Sequence, residues 1–154
     1  NKTLVVATQK LRLKTIYANV LAADVKLASF NVIHCSHLIE HFGYPEIIRL
    51  LDNMESWLKS GGYLIIRSPL LHDGFYDDID HVRPYPPATL QNYFYNPQQQ
   101  KTGKGNLVTK LIWQRNEAVT ANNLFLRTLY QFLWTLFRWP TGKPNGYIIV
   151  FQKK

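Results

Sequence analysis

Two apolar segments constrain the fold of this chain more than any other feature. Phe30–Cys35 and Tyr63–Arg67 are nearly continuous apolar runs without polar alternation. Such runs are typical of strands that are covered on both faces, as in a parallel sheet. Two parallel strands need a crossover connection between them, so the intervening residues are expected to contain a helix.

The sequence between the two runs contains a strong helix pattern. Pro45 suits a first helical turn, and apolar residues recur at helical spacing from there to Leu58. Lys59 is expected at the end of this helix, where a positive charge is favourable. The pair Gly61-Gly62 is predicted to end the helix. The order strand, helix, strand predicts a βαβ unit and therefore an α/β fold.

Five further segments have clear local patterns. Leu4–Ala7 and Val20–Ala23 are predicted to be short buried strands, and Ala88–Tyr95 is predicted to be a short helix after a proline pair. Leu107–Gln114 and Tyr147–Gln152 are predicted to be late strands.

The most apolar segment, Leu124–Trp139, has one apolar helical face. It is shorter than the roughly 20 residues that a membrane span needs. A core-facing helix or a substrate lid is therefore predicted within an insertion at residues 121–140, with peripheral membrane docking as the alternative.

Composition limits the class of protein and its partners. A chain of 154 residues favours one domain. The net charge is +8, but the basic residues are spread from Lys2 to Lys154, so no nucleic-acid partner is expected. The single cysteine, Cys35, excludes an internal disulfide and favours the cytoplasm. The chain opens on Asn1 without a signal-peptide pattern and is expected to be part of a longer protein.

Three local sequences occur in the order found in one protein family. They are SFNVIHCSHLIEH at residues 29–41, WLKSGGYLII at 57–66 and DHVRPY at 80–85, and Pro144–Tyr147 before the last strand also fits. This order resembles the class I S-adenosylmethionine-dependent methyltransferases, in the branch that acts on small molecules. The resemblance implies a Rossmann-like, mostly parallel sheet with helices on both faces and an antiparallel last strand, formed by residues 1–154 as a single, partial domain.

The resemblance also implies a cofactor site for S-adenosylmethionine. Ligands of such sheets bind at the carboxyl ends of the strands. Asp24, followed by Val25, stands where the family has the acidic residue that accepts a hydrogen bond from the adenine amino group; a solvated turn or helix cap is the alternative. Cys35, Ser36 and His37 leave the next strand beside the methionine portion, with Cys35 expected to be a small packed residue.

The implied substrate is a small molecule, such as a sugar or a lipid-linked metabolite. His81 and His37 are the candidate catalytic bases, and Arg83 is the candidate for orienting an anionic substrate. The acidic residues at 77, 78 and 80 are expected to form a solvated turn, so no metal site is predicted.

The chain departs from the family pattern at its beginning. The family's first strand and Gly-x-Gly loop are missing, Thr8 follows Leu4–Ala7 where an acidic residue is usual, and Asn31 stands where Asp is usual. An upstream segment or a partner chain is therefore expected to complete the sheet. A non-catalytic interaction module derived from a methyltransferase is the alternative function. A zinc peptidase using the pattern His37-x-x-Glu40-His41 is a remote one.

Overall fold

The computed structural model describes residues 2–95, 106–116, 124–137 and 144–154. These residues form helices and strands that alternate along much of the chain. In chain order they are α1 (Lys2–Lys10), β1 (Phe30–Ser36), α2 (Glu46–Trp57), β2 (Leu58–Pro69), α3 (Pro87–Tyr95), β3 (Leu107–Asn116), α4 (Leu124–Phe137) and β4 (Pro144–Lys153).

The strands form one mixed sheet in the order β1-β2-β4-β3. β1 and β2 are parallel, and β4 lies antiparallel to both β2 and β3. The predicted α/β, Rossmann-like fold with an antiparallel last strand is therefore confirmed. A mostly parallel sheet was expected, but the described sheet contains a single parallel pair. The reason is that two of the segments predicted as strands do not join it.

The two faces of the sheet have different surroundings. Side chains at paired positions share a face, and on one face Leu64, Ile66 and Phe151 are fully buried. Helices α2 and α3 contribute to this core, where the rings of Phe94 and Phe151 lie 5.0 Å apart. The opposite face carries exposed apolar side chains, and we call it the open face. They include Val32, Tyr63, Leu111 and Trp113. Within the described residues, α2 and α3 thus cover one face rather than both.

The glycine pair does not end the helix. α2 ends at Trp57, and Leu58 already has an extended backbone, so Gly61 and Gly62 lie inside β2. Gly61 has a φ of +76°, and a Cβ on Gly62 would lie 2.9 Å from the carbonyl oxygen of Lys59. The pairing of β1 with β2 also shifts its register at this point. The glycines therefore accommodate an irregularity in the strand pairing.

A distant lysine takes the place expected for Lys59. The Nζ of Lys153, on β4, donates hydrogen bonds to the carbonyl oxygens of Glu55 at 2.7 Å and Leu58 at 2.9 Å. Lys59 itself is exposed on β2. The positive charge expected at the end of α2 is thus present, but it belongs to Lys153 near the carboxyl end of the sequence.

Both strands predicted near the amino terminus are wrong. Leu4–Ala7 lies in helix α1, where the backbone groups are paired within the segment and need no neighbouring strand. Val20–Ala23 lies in a turn in which Asn19 accepts hydrogen bonds from the backbone N–H of Leu21, through its side chain, and of Ala22, through its carbonyl. Local hydrogen bonding therefore overrides a weak strand preference at both places.

Helix α4 confirms a helix within the predicted insertion, whose residues 121–123 and 138–140 lie outside the described part. On the predicted apolar face, Leu126 is 43% exposed, Leu129 is 40% exposed and Leu133 is partly buried, so these three side chains are not buried in the core. None of the described helices is long and apolar enough to cross a membrane.

Candidate functional site

Three segments meet at the carboxyl ends of the parallel strands β1 and β2. The turn after β1 contains His37, Glu40 and His41, and the end of β2 contributes Ser68. The loop after β2 brings in His81. Parallel strands end at the same edge of the sheet, so these distant parts of the sequence converge there.

Glu40 is the buried centre of this edge. Its side chain is fully buried, and its Oε2 accepts a hydrogen bond of 3.1 Å from the hydroxyl of Ser68. Its Oε1 lies 3.3 Å from Nδ1 of His37, at an orientation that forms no hydrogen bond. The side chain of His37 is 45% exposed, and its backbone is left-handed, with a φ of 48°. An oxygen of a buried carboxylate therefore lies beside Nδ1 of a solvent-accessible imidazole.

Backbone contacts hold the loop after β2 against this turn. The N–H groups of Val82 and Arg83 both donate to the carbonyl oxygen of Glu40, at 2.9 and 3.2 Å. The ring of His81 then packs between Phe75, at 4.7 Å between centroids, and His41, at 5.1 Å. The side chain of His81 is only 14% exposed.

Two tyrosines fix the far side of the loop. The hydroxyl of Tyr85 donates to the carbonyl oxygen of Phe42 at 2.7 Å, and the hydroxyl of Tyr147 donates to the carbonyl oxygen of Tyr85. Burial raises the pKa of both phenols, although the positive charge of Arg83 partly opposes the rise in the pKa of Tyr85. Both hydroxyls are therefore protonated donors at neutral pH.

A small cavity with both polar and apolar lining residues opens beside His37. Its volume is about 220 Å³, and its lining includes Arg67, Arg115 and Trp113. The Nε of Arg115 donates a hydrogen bond of 3.0 Å to the side-chain oxygen of Asn145, which orients the guanidinium group. Two arginines in one cavity can bind a carboxylate or a phosphate.

The cofactor residues expected from the sequence fall in two places. Cys35 is buried, and Ser36 and His37 follow it at the strand end. His37 lines the cavity that also contains Arg67 and Arg115. Burial, and to a lesser extent the charge of Glu40, raises the pKa of the Cys35 thiol to about 12, so the thiol is a packed group rather than a nucleophile. Val25 lines an apolar cleft of about 330 Å³, and its neighbour Asp24 is exposed.

Of the catalytic residues expected from the sequence, His37 and His81 lie at the carboxyl edge. His37 belongs to the turn after β1, and His81 contacts that turn. Arg83 is exposed, with its guanidinium carbon 5.7 Å from the centre of the Tyr85 ring. The helix that the peptidase alternative requires is not formed, because residues 39–41 make only a single 3-10 turn.

Sequence reasoning missed several residues of this edge. They are Ser68, Tyr147, Arg67 and Arg115. Two of them could have been found from the sequence, because Arg67 and Ser68 stand at the end of the clearest predicted strand, where a ligand site is expected.

The mixed sheet, the crossover helix and a site at the carboxyl edge of a parallel strand pair define a Rossmann-like protein of the methyltransferase type. The model of the family described as a methyltransferase domain matches residues 6–111. The chain belongs to this methyltransferase domain family. Comparison with curated protein sequences gave no significant match.

Several solved structures have a fold similar to that of this chain. A SAM-dependent methyltransferase from Archaeoglobus fulgidus has a TM-score of 0.61 and 16% identity, with 96% of this chain and 71% of that chain covered. The N-methyltransferase NodS from Bradyrhizobium japonicum, solved with S-adenosyl-L-homocysteine, has a TM-score of 0.55 and 12% identity, with 96% and 59% covered. The cyclase SpnF has a TM-score of 0.55 and 8% identity, with 99% and 61% covered. The chain thus spans 59% to 71% of the length of these three proteins.

Proposed function

We propose that the protein containing this chain transfers a methyl group from S-adenosylmethionine to a small molecule that carries an anionic group. The observation that carries this proposal is the convergence of His37, the buried Glu40 and two arginines at the carboxyl edge of the parallel strands. Family membership supplies the type of reaction, and the local chemistry of the cavity suggests the type of substrate.

The cofactor is proposed to bind with its methionine portion at this edge and its adenine toward Asp24 and Val25. The cleft beside Val25 is also lined by Phe30 and Trp57, so it lies toward the amino end of β1. An apolar cleft beside Val25 suits a flat aromatic base, and an exposed carboxylate can accept a hydrogen bond from an amino group. Ser36 and His37 would border the methionine portion, while Cys35 packs beneath it. Bound S-adenosylmethionine supplies an activated methyl group.

His37 is the residue whose surroundings best suit a general base. Its imidazole is accessible, it lines the cavity that contains the two arginines, and its Nδ1 lies 3.3 Å from Oε1 of Glu40. In the neutral tautomer that carries its hydrogen on Nδ1, Nε2 can take a proton from a substrate hydroxyl or amine. His81, the other candidate base, is packed between two rings and is less accessible.

The arginines would hold the substrate. Arg67 and Arg115 can grip an anionic group inside the cavity, and the exposed Arg83 can attract it from outside. Because methyl transfer depends largely on alignment, fixing the substrate in this way is expected to carry much of the rate. A sugar phosphate or a lipid-linked phosphate fits this description.

An upstream segment of the same protein or a partner chain is proposed to complete the sheet and to cover its open face. The support is the exposure of Val32, Leu111 and Trp113, by 52%, 55% and 52%, on a face of the sheet that carries apolar side chains. A cytoplasmic location is also part of the proposal and is supported by the single cysteine.

A second candidate function is an interaction module without catalysis. The exposed apolar side chains of α4 favour it, because such a surface suits a protein partner or a membrane surface. The fold does not exclude it, since similar folds serve different chemistries.

Calorimetric titration with S-adenosylmethionine separates these functions. It is performed on this chain and on a version extended upstream. Binding by either supports the methyltransferase proposal, and Asp24→Ala, which removes the acceptor, should weaken that binding by roughly 10-fold, the equivalent of one hydrogen bond. The exposed Asp73→Ala is the control and should bind as the parent does. If neither version binds, the enzyme proposal fails and the interaction module replaces it.

A further inference from the structure

Three side chains beside the proposed reaction site have their ligand atoms close together. One atom from each of Glu40, His41 and His81 lies within 4.8 Å of the other two. Glu40 is fully buried, and both histidines are partly buried. The proposed methyl transfer uses neither imidazole of this group, which we call the Glu40–His41–His81 cluster.

Both imidazoles are held in the same tautomer by the backbone. The Nδ1 of His41 lies 3.0 Å from the carbonyl oxygen of Asp80, and the Nδ1 of His81 lies 2.6 Å from the carbonyl oxygen of Phe75. A carbonyl oxygen can only accept, so each Nδ1 carries the hydrogen. Each Nε2 of the neutral rings is left with a lone pair. A carbonyl on the far nitrogen of the ring is the usual support of a metal-binding histidine.

The buried carboxylate of Glu40 is only partly paired. Its Oε2 receives a hydrogen bond from Ser68, whereas its Oε1 has no hydrogen-bond donor, although Nδ1 of His37 lies 3.3 Å away. A buried, ionised carboxylate is costly unless it is paired or binds a cation. Its oxygens retain lone pairs beyond those used by Ser68, because a carboxylate offers about four acceptor sites.

We propose that the Glu40–His41–His81 cluster binds a divalent transition-metal cation of the Zn²⁺ type. Two imidazole nitrogens and one carboxylate oxygen suit Zn²⁺ and its neighbours, whereas Mg²⁺ and Ca²⁺ take mainly oxygen ligands. Ligands of a tetrahedral zinc ion lie about 3.4 Å apart, given metal–ligand distances of about 2.1 Å. The side chains would therefore move together slightly on binding.

Three protein ligands leave at least one coordination position open. In zinc sites of this kind the open position takes water or a substrate oxygen. The ion would thus hold an oxygen of the methyl acceptor near His37. This role rests on the proposed function, whereas metal binding by the cluster does not.

Direct titration of the chain tests the site. Zn²⁺ is titrated by calorimetry, and Co²⁺ is titrated by its visible absorption, which reports the coordination geometry. We expect one ion to bind per chain at micromolar concentration, with a four- or five-coordinate Co²⁺ spectrum. Absence of binding by both ions at these concentrations overturns the proposal.

Histidine variants identify the ligands. His41→Gln and His81→Gln should each weaken Zn²⁺ binding by more than about 10-fold, because each removes one ligand. His34→Gln, at an exposed position on β1, and His37→Gln should bind as the parent does. Parent-like binding by either folded ligand variant overturns the proposal. So does loss of binding in His37→Gln alone, which would indicate the set His37, Glu40 and His41 instead.

Circular dichroism establishes that each variant is folded before titration. If His81→Gln does not fold, His41→Gln decides the question together with the spectrum of the parent. None of these measurements involves S-adenosylmethionine. If the chain binds Zn²⁺ but neither version binds the cofactor, the metal site is supported and the proposed function fails. If the cofactor binds but Zn²⁺ does not, the metal site fails and the proposed function is supported.

Discussion

The backbone N–H of Val82 donates a hydrogen bond of 2.9 Å to the carbonyl oxygen of Glu40. This contact joins the loop after β2 to the turn after β1, and it brings the ring of His81 beside that of His41. Because both partners are backbone groups, the contact does not depend on the types of their side chains. The backbone therefore helps to position the residues of the carboxyl edge irrespective of the side chains at these two positions.

The hydrogen bond between Ser68 and Glu40 is expected to stabilise the fold. Ser68→Ala removes a donor from a fully buried carboxylate, so the free energy of unfolding should fall by about 1–3 kcal/mol. Urea denaturation measures the change. Ser60→Ala, at an exposed position of the same strand, is the control and should shift the free energy by less than about 0.5 kcal/mol. Equal effects of the two changes would contradict the assigned role of Ser68.

Lys153, rather than Lys59, is expected to stabilise the end of α2. Lys153→Met removes two hydrogen bonds from a charged donor to the carbonyl oxygens of Glu55 and Leu58, so unfolding should become easier by about 1.5–3 kcal/mol. Lys59→Met removes an exposed charge and should be nearly neutral. Thermal unfolding of both variants checks this order, and a larger effect at Lys59 would contradict it.

The two faces of the sheet are expected to respond differently to truncation. Leu64→Ala leaves a cavity in the core and should cost about 2–5 kcal/mol of stability. Leu111→Ala, on the open face, should change the stability of this chain by less than about 0.5 kcal/mol, because its side chain is 55% exposed. Urea denaturation compares the two. A similar loss at both positions would mean that the open face is covered in solution.

Cys35 is expected to make the fold less stable in alkaline solution. Its thiol has a pKa raised from 9.0 to about 12, chiefly by burial. Below pH 9.0 the thiol is protonated in both states and contributes no pH dependence. Between pH 9.0 and about 12 the unfolded chain loses this proton while the folded chain keeps it, so the free energy of unfolding falls as pH rises.

Unfolding in urea at several pH values across this range measures the slope. The variant Cys35→Ala lacks the titrating thiol and should show a shallower fall, whatever its stability at neutral pH. In the folded parent, the thiol should also react slowly with iodoacetamide, because the reactive form is the thiolate. A parent slope equal to that of Cys35→Ala would contradict the raised pKa.

Local patterns in the sequence were sufficient for the central unit of the fold. The apolar runs at Phe30 and Tyr63, the helical spacing after Pro45 and the late strands predicted β1, β2, α2, β3 and β4, because periodicity is a property of neighbouring residues. The same patterns drew attention to His37 and His81, and the order of three motifs indicated the family.

Pairing between distant residues could not be predicted in this way. Leu4–Ala7 has strand-forming residues but lies in a helix, because a strand also needs a partner for its backbone groups, and its sequence does not specify one. The glycines at 61 and 62 suit a helix end or a strand irregularity equally well by composition. Only the pairing of β1 with β2 distinguishes these two roles.

The sequence by itself determined the class of fold, the family and the strand ends from which a site could be built. Only the tertiary structure decided that the buried Glu40 and Ser68 lie beside the partly buried His41 and His81. It also decided that Lys153 donates to the end of helix α2, almost a hundred positions earlier in the chain. The physical reason is that hydrogen bonds and charge pairing depend on distances in space. These distances are set by strand order and loop packing rather than by spacing along the chain.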